Sequence, residues 1–143
     1  MTQEEAQAYL IRARDAPRDI AMLDTESQWV QDGIARLRKM QMRDEFTTAI
    51  ASLKRYARNI DRKRKTAQFV RKRASALIDR VPDARGREIL RRRYMERETW
   101  EQIGAAIMYD PHYCTRLCKK ALSAFGACER MIEDDSETVH RLS

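Results

Sequence analysis

Two helix-start signals lie close together late in the chain, and the space between them admits one short helix, a tight turn and little else. The first is Thr99-Trp100-Glu101-Gln102, where a hydroxyl and a Gln three residues on can each accept the other's orphan backbone N–H. The second is Asp110-Pro111: Asp is a strong N-cap, and Pro at the first helical position gives up no hydrogen bond. Between them Trp100, Ile103 and Ile107 recur at helical spacing and form a packing face, while Glu101, Gln102 and Ala105 point away from it. Gly104 lies on the packing side. Its cost of roughly 1 kcal/mol relative to Ala makes sense if it lets the following helix cross closely. In that second helix Cys114, Leu117, Ala121, Leu122 and Phe125 form the buried stripe, and Gly126 is placed to end it as a C′ residue.

Two capped helices joined by a three-residue turn are a helix-turn-helix, a device that sets its second helix in the DNA major groove. The residues left outward by the stripe are His112, Tyr113, Thr115, Arg116, Lys119 and Lys120. Arg can bind the O6 and N7 of guanine with both arms, and Thr can meet a base edge or a thymine methyl. The candidate base contacts are therefore His112, Tyr113, Thr115 and Arg116, with Arg116 foremost. Lys119 and Lys120, one turn on, suit phosphates, and Thr99, Arg91 and Arg92 are further candidates for phosphate contact. A net charge of +7 over 143 residues favours a polyanionic partner, here double-stranded DNA.

The run Arg87-Glu88-Ile89-Leu90-Arg91-Arg92-Arg93-Tyr94, then Thr99 to Gly104 and Asp110 to Leu122, resembles region 4 of the sigma-70 factors, which recognises promoter −35 elements. With Tyr9-Leu10, Ala13-Arg14 and Val81-Pro82-Asp83, the whole chain is similar to small phage and prophage transcriptional regulators of the ArpU/RinA type. The resemblance is specific over residues 81–125 and loose before them. It implies a sequence-specific DNA-binding regulator of late phage genes that acts with host RNA polymerase in the bacterial cytoplasm. By position it places Asp110, His112, Tyr113, Thr115, Arg116 and Lys119 in the recognition helix. One departure is Met108, which stands where the turn ordinarily has Gly; a left-handed backbone there costs roughly 1–2 kcal/mol.

The remainder reads as helix. Strand-type alternation is absent, and the prolines, Pro17, Pro82 and Pro111, are taken as element boundaries, so the fold class is all-α: a long helical hairpin or coiled-coil-like part followed by the helix-turn-helix. Ile20, Leu23, Val30, Ile34 and Leu37 step by three, four and seven, with Ser27 in the missing slot. Phe46, Ile50, Leu53, Ala57 and Ile60, then Ala67, Val70, Ala74, Leu77 and Val81, repeat the spacing with Arg64 as a flaw. Met40 to Glu45 is the place for the chain to turn back, with Asp44 as a cap, although one continuous helix also fits. The organisation expected is 1–81 as handle, 82–126 as helix-turn-helix and 127–143 as an acidic tail that frays or, alternatively, folds back on the basic helix and weakens nonspecific DNA binding. Two such helices cannot bury both seams alone, so the handle is expected to pair with a second copy as a homodimer. An alternative packs residues 3–14 within the monomer as a third helix.

Lys54, Arg55, Arg58, Arg62, Lys63, Arg64, Lys65, Arg71, Lys72 and Arg73 crowd one segment in which Asp61 is the sole acid. At helical pitch they spread around most of the circumference, a pattern for general phosphate attraction rather than base readout. Cys114, Cys118 and Cys128 lack a C-x-x-C pair and read as reduced cytosolic thiols, with no metal site expected. His140 reads as a solvated tail residue. The four glycines are too scattered for a phosphate-cradling loop, and neither His112 nor His140 has a nucleophile and acid beside it, so no enzyme and no cofactor are expected. No long uncharged apolar run marks a membrane span. Two other functions share these features: an adaptor that grips RNA polymerase without reading bases, through Arg91 or Arg92, and a DNA-recognition subunit like the small subunit of a phage terminase.

Overall fold

The computed structural model describes the backbone of residues 1–40 and 44–142, and the side chains of residues 1–40 and 46–128. The described chain is all-α: α1 (Gln3–Lys39), α2 (Asp44–Asp79), α3 (Ala84–Leu90) running into a π-helical turn (Arg91–Met95), α4 (Trp100–Ile107) and α5 (Pro111–Leu142). No strand and no helix long and apolar enough to cross a membrane occurs among the described residues. Glu4 and Glu5 in the first turn of α1 and Arg36, Arg38 and Lys39 in its last complement the helix dipole. The chain forms two long helices rather than one. The turn between them, residues 41–43, and the side chain of Asp44 lie outside the described residues.

The molecule divides into two compact units, and the division differs from the one expected at residue 81. One unit is discontinuous, Met1–Arg14 with Val70–Ser143; the other is Asp15–Phe69. The physical reason is that the ends of the long helices carry their own apolar set. Ala6, Leu10 and Ala13 of α1 and Val70, Ala74, Leu77 and Ile78 of α2 join Ile89, Leu90, Tyr94, Ile103, Cys114, Cys118, Leu122 and Phe125 in one core. Residues 3–14 are the first turns of α1 rather than a third helix, and Ala6, Leu10 and Ala13 pack into this core with the helix-turn-helix and the end of α2. This core is dry enough that burial pushes the Cys118 thiol up to about 11 and the Tyr94 phenol up to about 12.

The second unit is an antiparallel helical hairpin. Asp24 faces Arg64, Glu26 faces Tyr56, and Gly33 faces Leu53. Arg64, the flaw in the apolar spacing, reaches across to Asp24 at 2.8 Å and back to Asp61 at 2.9 Å. Of its apolar seam only Ala16, Val30 and Ile60 are buried; Ile20, Leu23, Ile34, Leu37, Ile50 and Leu53 stay half-exposed.

Two expected boundaries are corrected. Pro17 lies inside α1 rather than at its start. A proline has no N–H for the carbonyl four residues back, here Ala13. The Arg71 guanidinium donates to that carbonyl at 3.2 Å, replacing the missing backbone bond, and its other arm reaches the Met95 carbonyl at 3.3 Å. Gly126 does not end its helix either, since α5 continues to Leu142. Its small size serves another purpose: a Cβ there would collide with the Met1 carbonyl oxygen, because the N-terminus lies against this point of α5. The side chains of the acidic stretch from Glu129 onward, His140 included, lie outside the described residues.

Candidate nucleic-acid interface

The α4–turn–α5 pair is held at both starts. Thr99 accepts from the Gln102 backbone N–H at 3.2 Å, and the Gln102 side chain accepts from the Thr99 N–H at 2.8 Å, a complete capping box. Asp110 accepts from the His112 N–H at 2.8 Å, and its own carbonyl takes the first helical bond, from Cys114 N at 3.0 Å. The turn between is Met108-Tyr109-Asp110. Met108 adopts the left-handed conformation that Gly normally supplies, with φ 62° and ψ 41°, and its side chain is 88% exposed. The turn geometry is therefore kept without glycine, at a backbone cost of about 1–2 kcal/mol. Gly104 is needed, though for a reason other than a helix crossing: a Cβ would sit 2.6 Å from the Tyr109 carbonyl oxygen, and the Pro111 ring lies 3.5 Å away. It is the turn itself that folds back onto α4.

From Pro111 onward the two faces of α5 separate cleanly. Cys114, Cys118, Ala121, Leu122 and Phe125 are buried against α3, α4 and the ends of the long helices, with Leu117 half-buried at the margin. Cys118, four residues after Cys114 on the same helix face, belongs to this stripe. His112, Tyr113, Arg116, Lys119 and Lys120 are exposed. The side chains of Arg116, Lys119 and Lys120 have no hydrogen-bond or ion-pair partner among the described residues. Thr115 is half-buried and its hydroxyl donates to the His112 carbonyl at 2.6 Å, which leaves it lone pairs for accepting but spends its proton.

The candidate phosphate ligands fall into two groups. Lys119 and Lys120 stand open beside Arg116. Arg91 instead donates to the Asp79 carboxylate and to Ser75 Oγ, and Arg92 bonds Glu88 at 3.1 Å and Glu98 at 3.2 Å. Glu88 and then Glu98 hold Arg92 more firmly charged than usual. These two arginines brace the run from α3 to α4. Thr99 is exposed, with its hydroxyl engaged in the cap.

One part of this surface escaped sequence reasoning. The Tyr113 ring lies 5.2 Å from the Tyr109 ring, and the Arg85 guanidinium sits 4.5 Å over Tyr109 while donating to its hydroxyl. Arg85, Tyr109 and Tyr113 thus form a chain of cation–π and tilted ring contacts that borders the first turn of α5. Arg85 lies far enough from α5 in sequence that no local pattern links them.

The basic segment of α2 also differs from its expected distribution. Arg64 and Arg71 turn inward to the partners described above. Within the hairpin unit Lys54, Arg55, Arg58, Arg62 and Lys65 fall on the side of α2 opposite Leu53, Ala57 and Ile60, and all five are exposed. They form a ridge rather than a collar.

No family model, curated protein or solved structure matches the chain.

Proposed function

We propose that this chain is a sequence-specific DNA-binding transcriptional regulator that reads the major groove with the first turns of α5, in the manner of phage late-gene regulators acting with host RNA polymerase. The observation that carries the reading is the state of its arginines. Those that brace α3 and the turn to α4, such as Arg91 and Arg92, are bonded to neighbours. The side chain of Arg116, like those of Lys119 and Lys120, has no partner among the described residues and stands on the outer face of a helix whose inner face is locked. An uncommitted guanidinium projecting from the first turns of a helix is what bidentate guanine contact requires. His112 and Tyr113 flank it, and Tyr113 is in tilted contact with the Tyr109 ring. The half-exposed seam of the hairpin supports a second copy as partner, which would set two recognition helices on related half-sites.

The reading is tested by selecting sites from a random duplex library at about 150 mM salt, where phosphate attraction alone is weak. Wild-type protein should return a defined motif. Arg116→Ala should relax it at one base pair, with about 1–3 kcal/mol of discrimination lost there. Enrichment of no motif by either protein sinks base readout. It would turn attention to RNA polymerase as the partner.

A further inference from the structure

We infer that the outer ridge of α2, Lys54, Arg55, Arg58 and Arg62 with Lys65 at its end, is a second DNA-binding surface, one that holds duplex phosphates without reading bases. It deepens the DNA-binding reading above and rests on it for the identity of the polyanion. Lys54, Arg58 and Arg62 recur every four residues, so they stack along the helix about 6 Å apart in axial rise. Their like charges repel one another, and among the described residues no acid pairs with Lys54, Arg55, Arg58 or Arg62. Asp61, the sole acid among residues 54–65, is spent on Arg64 and Lys65 at 2.9 and 3.1 Å. On α1, Asp24 is taken by Arg64, while Glu26 accepts from Tyr56 and Asp32 from Gln28, and neither these acids nor Asp19 pairs with Lys54, Arg55, Arg58 or Arg62. The side chains of Lys54, Arg55, Arg58, Arg62 and Lys63 have no partner among the described residues. With a net charge of +7 on the whole chain and no partner for these side chains among the described residues, an external polyanion is the occupant of complementary charge.

A duplex presents one charge per roughly 1.7 Å of axis, and the ridge from Lys54 to Lys65 spans about 16 Å of helix, so several phosphates can be met at once. The ridge is assigned phosphate contact alone, and an equal fall in affinity for every duplex sequence is its signature. Neutralised phosphates release counterions, so the ridge contributes through salt dependence.

The test is a salt titration of binding to a random-sequence duplex by full-length wild type and by the triple variant Lys54→Gln, Arg58→Gln, Arg62→Gln, all at exposed positions. The variant should show an unchanged thermal melt and an unchanged sedimentation coefficient. Its slope of log affinity against log salt should be less negative by about 2.7, at roughly 0.9 for each of the phosphates that the variant leaves unneutralised. Affinity for a random duplex and for any selected site should fall by the same factor. A slope that stays within one unit of wild type overturns the inference. So does a change of oligomeric state on substitution, which would assign the ridge to self-association, or a loss of binding confined to vesicles of phosphatidylglycerol. Failure of the base-readout reading is separate: it appears as no motif in the selection, with the shift in slope intact.

Discussion

The two units use charge and apolar surface in opposite ways. In the discontinuous unit Phe125, Leu10, Leu77 and Ile103 are fully buried, and arginines such as Arg71, Arg87, Arg91 and Arg92 are tied to carbonyls or carboxylates. In the hairpin unit Trp29 is 70% exposed and Phe69 63%, and most of the seam is half-covered. The side chains of its neighbouring cations Lys54, Arg55, Arg58, Arg62 and Lys63 have no partner among the described residues. A unit made of several short helices and two helix ends can surround a core, whereas two rods side by side present only one line of contact to each other. The difference teaches where free functional groups can be sought: the open cations of the first unit include a group on one face of α5, and those of the second form a ridge.

Truncating the core gives the sharpest contrast. Phe125→Ala should cost about 3–5 kcal/mol in urea unfolding, because it removes a fully buried ring and leaves a cavity. Leu23→Ala or Ile34→Ala, at half-exposed positions, should cost about 1 kcal/mol or less when unfolding is followed at protein concentrations low enough to keep the proposed dimer apart. Values near 3 kcal/mol for the hairpin variants, the range of a buried large-to-small change, would break the comparison and would mean that a second copy still covers the seam.

The proline in α1 offers an intermediate effect. Arg71→Met should destabilise by about 1–2 kcal/mol, since it leaves the Ala13 carbonyl without a donor. In a Pro17→Ala background the backbone N–H returns and the same substitution should cost clearly less. A double-mutant cycle by thermal unfolding measures this coupling, and strict additivity would show that Arg71 does not substitute for the missing bond.

The smallest expected effect is at the turn. Met108→Gly should raise stability by about 0.5–1 kcal/mol, the relief of left-handed strain less the added freedom of the unfolded chain. The exposed side chain loses little packing, so a net loss of stability would mean that Met108 is held by contacts its exposure does not reveal.

Much of the helix-turn-helix was legible because its signals are local. A hydroxyl cap with Gln three residues on, and Asp before Pro, act within one helical turn, and both are present with the expected bonds. The apolar stripe of α5 was readable from periodicity, and Cys118, four residues after Cys114 on the same helix face, is buried with it. Helix boundaries at Pro17 and Gly126 were misread for the opposite reason. Each depends on a group remote in sequence: Arg71 for the carbonyl that Pro17 leaves open, and Met1 for the space that Gly126 provides. The chain of ring contacts to Tyr113 was invisible because it starts from Arg85.

The sequence by itself determined that the chain is helical, where α4 and α5 begin, and which face of α5 turns outward, because hydrogen-bond capping and the period of the helix are properties of a few adjacent residues. Only the tertiary structure decided that the ends of the two long helices belong with α3, α4 and α5 rather than with their own middles, and which cations are spent and which remain free. Those outcomes are settled by which apolar surfaces and which donors and acceptors meet across long stretches of chain, and no local spacing carries that information.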